Sequence, residues 1–233
     1  MFDQLLGAIL FFFGLAGSVK GESTQSAAIA MSFEATLANM GTNREMWDAQ
    51  KASRSASFSS QLATFKNTKK KQTLNDVQLK IQVMRKNQED FLLKELSTLN
   101  TVCQLMTTEL ESWTTMTKKD GSSVTKTITS AQKLIIEASV LLATMMGKPY
   151  VVSVSNGEKN IRADAEKVRT DLEQDTKSVY NKFKQAREKT KQAYKEYRQL
   201  TGKTLKMPMS SSLSEDASAS KAAVMTMTPT PSL

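Results

Sequence analysis

Two long stretches of this sequence contain neither glycine nor proline, residues 42–120 and residues 158–201. Because glycine and proline commonly end helices and form turns, their absence over such lengths favours long, continuous helices. Glycine occurs nine times and proline four times in 233 residues. That is too few for the many turns of a loop-rich α/β enzyme. The predicted fold class is therefore all-α, with long coiled-coil helices.

The first rod, residues 74–113, carries a stripe of apolar residues separated by alternating steps of three and four. This heptad spacing is typical of helices that pack against other helices. One four-residue insertion near Gln88 interrupts the pattern, and such a stutter relaxes a left-handed supercoil. The stripe includes the residues that we predict to mediate oligomerisation: Leu92, Leu96, Leu99, Met106 and Leu110.

The second rod, residues 161–200, repeats the heptad pattern with a thinner stripe. Alanine and threonine occupy several of its core positions, so it should form a weaker helix alone. An antiparallel hairpin between the two rods of one chain would bury both stripes. A bundle formed by several chains would bury them equally well, and the sequence leaves both arrangements open.

A shorter helix is expected between the rods, over residues 125–146. A turn at residues 119–121 precedes it, and either Ser122 or Ser123 could cap its first turn. The helix is strongly apolar but short, and it contains Glu137. We therefore interpret it as a buried bundle helix rather than a membrane span.

The shorter helix should end where Gly147 and Pro149 follow it. Residues 150–154 are rich in valine and favour a short extended segment. The Asn-Gly pair at residues 156–157 is a turn signal that would close this segment.

The N-terminal residues 4–19 are mostly apolar and would span roughly 24 Å as a helix, less than the ~30 Å hydrocarbon core. A retained membrane-active segment, a cleaved signal peptide and an ordinary buried helix all fit this pattern. Against a signal peptide, the first residues carry Asp3 and no basic residue. The residues predicted to contact membrane are Leu5, Leu6, Ile9, Leu10, Phe11, Phe12, Phe13 and Leu15.

Four segments follow from these patterns. Residues 1–21 form the apolar head, and residues 22–73 form a helical region rich in Ala, Ser and Gln. Residues 74–206 form the coiled-coil or helical-bundle region. Residues 207–233 mix Ser, Thr, Pro and Met without periodicity, so we predict a disordered tail.

The residue inventory argues against an enzyme. The sequence has no histidine, which excludes the usual zinc sites and Ser-His-Asp relays. Cys103 is the only cysteine and lies on the apolar stripe, where a small buried hydrophobe is expected. We therefore predict no catalytic residue, no metal site and no cofactor.

The formal net charge is +9, which favours polyanionic partners. Within residues 176–203, nine residues are basic and two are acidic. Tyr180 and Tyr194 lie among them, outside the apolar stripe, and basic residues beside aromatics suit single-stranded nucleic acid. A merely solvated face is the other interpretation. The predicted nucleic-acid residues are Lys182, Lys184, Arg187, Lys189, Lys191, Lys195 and Arg198.

A smaller basic cluster, Lys66 with residues 69–71, precedes the first rod and ranks lower.

Residues 43–51 read Asn-Arg-Glu-Met-Trp-Asp-Ala-Gln-Lys. This stretch resembles an Asn-x-x-Met-Trp-x-x-Gln segment in the DNA pilot, or minor spike, proteins of microviruses, which are small single-stranded-DNA phages. The order of an apolar head, an Ala/Ser/Gln-rich helix and a coiled coil is similar too. The resemblance implies a virion protein whose copies assemble into a helical tube across the host envelope.

The expected function is thus non-enzymatic guidance of a single-stranded DNA genome during ejection. The expected partners are other copies of this chain, single-stranded DNA, the host membrane and other capsid proteins. The expected location is the virion and, during entry, the host cell envelope. The alternative is a secreted or membrane-anchored helical bundle that binds a protein partner or an anionic lipid surface.

Overall fold

The computed structural model describes residues 22–154 and 161–205. Within these residues the chain is all-α, which confirms the predicted fold class. The four helices are α1 (Glu22–Ala63), α2 (Thr68–Thr117), α3 (Ser122–Gly147) and α4 (Ile161–Thr201). The predicted apolar head, the disordered tail and the turn at residues 156–157 lie outside the described residues.

The two rods, now α2 and α4, run parallel to each other. The Thr176 hydroxyl donates a hydrogen bond to Gln88 Oε1 over 2.8 Å. Further along both helices, Cys103 Sγ lies 3.7 Å from Thr190 Oγ1. The contacts advance in the same direction along both chains, so the antiparallel hairpin considered from the sequence is wrong. The reason is that α3 returns the chain along the bundle between the two rods.

The other two helices run opposite to the rods. Lys182 of α4 pairs with Glu137 of α3, whereas the earlier Asp175 meets Lys148 just beyond the end of α3. Residue numbers thus fall along α4 as they rise along α3, so these two helices are antiparallel. Helix α1 runs alongside α3, since Trp47 packs on Gly147, the last residue of α3. The result is a four-helix bundle with alternating up and down helices.

One hydrophobic core joins all four helices. The stripe predicted on the first rod lies in it, with Leu96, Leu99 and Met106 fully buried. The stripe of the second rod meets it, and here Leu172 and Tyr197 have no exposed surface. The predicted segment boundary between residues 73 and 74 falls inside α2, and residues on both sides of it contribute to this core.

The helix ends show how local sequence sets the turns. Asn67 caps α2, because its side chain accepts a hydrogen bond from the Lys70 N–H over 3.1 Å. The predicted serine cap of α3 is wrong: Gly121 is the N-cap and Ser122 is the first helical residue. The Asp120 carboxylate accepts the Ser122 N–H over 2.8 Å, so Asp120 stabilises this turn instead.

Residues 150–154 form neither helix nor strand, and Tyr150 has a positive φ of 42°, so it is not extended as predicted. Glutamine side chains bind the backbone of this segment. The Gln78 side chain accepts the Val152 N–H over 2.9 Å and donates to the Tyr150 carbonyl over 3.2 Å. Gln61 of α1 accepts the Val154 N–H over 3.3 Å. Buried backbone outside helices and strands lacks regular hydrogen-bond partners, so these glutamine amides supply them.

Candidate nucleic-acid interface on α4

A basic stripe runs along one face of α4. Its members recur at steps of three and four, the spacing that places side chains on one helix face. Most of them directly follow a buried core residue, as Lys184 follows Phe183 and Lys191 follows Thr190. Successive residues of an α-helix are rotated by about 100° around its axis, so the stripe borders the buried face. It consists of Lys177, Lys184, Arg187, Lys191, Lys195 and Arg198, with Tyr180 and Tyr194 interleaved.

The stripe is long and regular. From Lys177 to Arg198 it extends about 32 Å along the helix axis, at about 1.5 Å per residue. Successive cations therefore stand one or two helical turns apart on a rigid scaffold. A polyanion that follows the helix axis could contact several of them at once without a change in the fold.

Several cations of the stripe remain available. Lys177, Lys184 and Lys195 are exposed and form no ion pair with a carboxylate of the described residues. Lys191 approaches Glu188 at 3.5 Å, an exposed pair of the kind that contributes little stability. The positive charge of Lys177, Lys184 and Lys195 is therefore not compensated by an ion pair within the described residues.

A cation–π contact orders the C-terminal end of the stripe. The Arg198 guanidinium lies 5.9 Å from the centroid of the Tyr194 ring. Such a contact holds the guanidinium against the helix surface while leaving its N–H groups able to bind phosphate. Tyr194 itself packs against the core on its other side.

Two of the seven predicted nucleic-acid residues lie elsewhere on α4. Lys182 Nζ is 2.7 Å from Glu137 Oε2, so it ties α4 to α3. Lys189 Nζ donates to Gln192 Oε1 over 3.0 Å. The structure thus brings together Lys184, Arg187, Lys191, Lys195 and Arg198 and separates Lys182 and Lys189 from them.

The sequence analysis missed Lys177, although a signal for it was present. Lys177 follows Thr176, a position of the second stripe, in the same way that Lys184 follows Phe183. Extending the register by one heptad would have found it.

The predicted oligomerisation residues lie inside the bundle of a single chain. Leu96, Leu99 and Met106 have no exposed surface, and Leu92 and Leu110 retain at most a few per cent. Homo-oligomerisation stays a prediction. Contact between copies through this stripe would require helices of another chain to replace those of the same chain.

The predicted membrane residues of the head lie outside the described residues. Within the described residues, α3 is long and apolar enough to cross a membrane, and half of its most apolar stretch is buried in the bundle. Its buried side chains, Ile128 and Ile135 among them, face the core, as expected of a bundle helix.

The Asn-x-x-Met-Trp stretch has a packing role in α1. Trp47 is half-buried, and a Cβ atom on Gly147 would lie only 3.2 Å from its indole Nε1. The missing side chain at Gly147 thus lets the indole approach the end of α3. One helical turn later, Lys51 Nζ lies 3.6 Å from Asp48 Oδ1.

A cluster of three charged side chains, Lys51, Arg85 and Glu89, lies beside this contact, at the interface of α1 and α2. Burial lowers the pKa of Lys51, and the nearby Arg85 lowers it further. Burial raises the pKa of Glu89, whereas Arg85 and Lys51 oppose that shift. Arg85 Nε and Glu89 Oε1 are 3.6 Å apart. Removing these charged groups from water costs free energy. This cost weakens the packing of the middle of α1 against the bundle.

No protein-family model matches this chain, and neither a curated protein nor a solved structure is significantly similar to it.

Proposed function

We propose that this chain is a non-enzymatic structural protein of a single-stranded-DNA phage virion, of the DNA pilot type, and that its basic stripe contacts the genome. The observation that carries the proposal is the regular row of cations on one face of α4. It is rigid and about 32 Å long, and Lys177, Lys184 and Lys195 in it form no ion pair within the described residues. Phosphate contacts of this kind supply affinity without sequence preference.

The resemblance of residues 43–51 and the order of segments along the chain add the phage context. In this proposal the apolar head acts at the host membrane, and copies of the chain associate through their helices around the DNA. Because the apolar stripe of α2 is occupied within one bundle, association through that stripe would follow an exchange of helices between copies.

The DNA contact is tested by charge reversal. The full chain is titrated onto a fluorescent oligothymidine, and anisotropy is recorded from low to physiological salt. Changing Lys184, Lys191 and Arg198 to Glu should weaken binding by orders of magnitude. The slope of log affinity against log salt should become shallower by about 0.7 for each lost contact, because fewer counterions are released.

A matched control makes the same change in net charge away from the stripe. Lys126 and Lys133 of α3 are exposed, and Lys189 faces away from the stripe on α4. Their replacement by Glu should leave affinity within a few-fold of the parent. Equal weakening by both triple variants would mean that only net charge matters. Undiminished binding by the stripe variant would remove the stripe from the DNA contact.

A second candidate function is binding to an anionic lipid surface. The specific observation in its favour is the basic stripe of α4, since lysines attract anionic headgroups as well as DNA phosphates. Here the full chain and a chain beginning at Glu22 are compared for leakage of vesicles that contain anionic lipid. Leakage by the full chain alone would place membrane activity in the head. Equal leakage by both would place membrane activity outside the head and favour the second candidate.

A further inference from the structure

Three aromatic rings meet where α2 and α4 lie side by side. Phe183 of α4 is buried, and Phe91 of α2 packs edge-on against it with ring centroids 6.5 Å apart. Tyr180 lies 5.9 Å from Phe183 on α4. Phe91 is 52% exposed and Tyr180 is 41% exposed, so two of the three rings present much of their surface to solvent.

The core does not require these two exposed rings. Phe183 fills the interior at this level and is only 3% exposed. A phenylalanine that keeps half of its surface in water gains only part of the stabilisation that burial provides. Exposed aromatic pairs are instead typical of surfaces that bind a flat or apolar group.

Three lysines lie near the exposed rings. Lys94 lies one helical turn after Phe91, and Lys177 and Lys184 lie one turn before and after Tyr180. All three side chains are exposed and pair with no carboxylate in the described part of the chain. Asp90 adjoins Phe91 in sequence but is rotated by about 100° around α2. Glu95 lies one turn after Phe91 and is only 9% exposed. The site therefore combines aromatic faces with cations, as surfaces that bind single-stranded nucleic acid do.

We propose that Phe91 and Tyr180 form a base-stacking platform at one end of the basic stripe. Unpaired bases would stack on the rings while their phosphates contact Lys94, Lys177 and Lys184. Duplex bases are already stacked inside the helix, so the platform would favour single strands over duplex. This inference rests on the proposed DNA contact and adds a second helix, α2, to it. A protein partner is the other occupant that exposed aromatic rings could take.

The test separates stacking from phosphate binding. The full chain is titrated with three probes of equal length: oligothymidine, an abasic oligonucleotide with the same phosphates, and duplex DNA. The parent should bind oligothymidine about tenfold or more tighter than the abasic strand, since each stacked base adds affinity. Changing Phe91 and Tyr180 together to Ala should remove this preference and leave abasic binding unchanged.

Two further variants control for packing. Leu79→Ala removes a side chain that is 62% exposed on the same helix and precedes Phe91 by three turns. It should bind all three probes as the parent does. Phe91→Trp keeps a stacking face and should retain the preference for oligothymidine.

Each outcome decides one question. If the parent binds abasic and thymidine strands equally, or the double Ala variant loses both equally, the platform is absent while the basic stripe stands. If the parent binds none of the probes at low salt, the proposed DNA contact fails and the platform fails with it. A double Ala variant that binds every probe like the parent would overturn the platform. A protein partner would then be the remaining occupant to test.

Discussion

Cys103 sits in the interior between α2 and α4, with no exposed surface and Thr190 as its neighbour. Burial raises the pKa of the Cys103 thiol to about 12, whereas the Thr190 contact opposes the shift. The thiolate is the reactive form of cysteine, so this residue is chemically inert in the folded protein. Its place is that of the small buried hydrophobe predicted from the apolar stripe.

Two measurements test this. A thiol reagent at pH 8 should label Cys103 only under conditions that unfold the bundle. In the unfolded chain the thiol has a pKa near 8.5, lower than in the fold. The stabilising contribution of the protonated thiol is therefore complete below about pH 8.5 and declines as pH rises toward 12. Cys103→Ala should flatten this alkaline decline in chemical denaturation. Rapid labelling of the native protein would contradict the buried position.

At the scale of elements, α1 is the least firmly held helix. From residue 33 onward its buried side chains are Phe33, Met40, Phe58 and Leu62. Between these two pairs the helix is held by half-buried Trp47 and by Lys51, whose charge is partly desolvated. Helices α2 and α3 bury many more apolar residues along their length, and α4 buries six. We expect α1 to open locally before the rest of the bundle unfolds.

Trp47→Ala should make that opening easier. The change removes a half-buried indole, at a cost of roughly 2 kcal/mol, about half that of a fully buried tryptophan. Hydrogen exchange should accelerate across residues 33–62 while α2, α3 and α4 keep their protection. Met46→Ala is the matched control, because Met46 is 41% exposed on the same turn. If exchange accelerated equally in all four helices, α1 would be an integral part of one cooperative unit.

At the scale of the whole molecule, the heptad stripes form the core of a single bundle. Each buried leucine contributes roughly 1.5–3 kcal/mol relative to exposure. The leucines of α2 together thus account for an amount comparable to the entire stability of a typical domain, about 5–15 kcal/mol. Releasing them for a tube would cost that amount unless another copy replaced the lost contacts at once.

Replacing Leu96 and Leu99 with Asp should therefore unfold the chain, not merely dissociate it. Two carboxylates would be buried among apolar side chains, where an unpaired charge is strongly unfavourable. Circular dichroism should show lost helicity, and sedimentation should show an expanded monomer or aggregates. A compact, fully helical monomer would instead mean that these residues act between chains. Leu79→Asp on the exposed face should change neither measurement.

Much of the fold could be read from local patterns. The absence of glycine and proline and the three-four spacing of apolar residues placed the long helices and most of their buried stripes. Turn residues placed the connection near Gly121 and the end of α3 near Gly147. These features depend on interactions within a few residues, which a single sequence contains. For the same reason five of the seven predicted basic residues fall on the basic stripe of α4, although Lys177 was missed.

Tertiary structure decided which faces meet. An amphipathic stripe predicts that a helix packs against another, but it does not indicate which helix or in which direction. The parallel arrangement of α2 and α4 therefore could not be predicted. The same applies to Lys182. The spacing of charges grouped it with the predicted nucleic-acid residues, whereas the fold pairs it with Glu137 of α3. Phe91 joins Tyr180 only because two helices far apart in sequence lie side by side. Local physics determined the helices, and long-range packing determined the site.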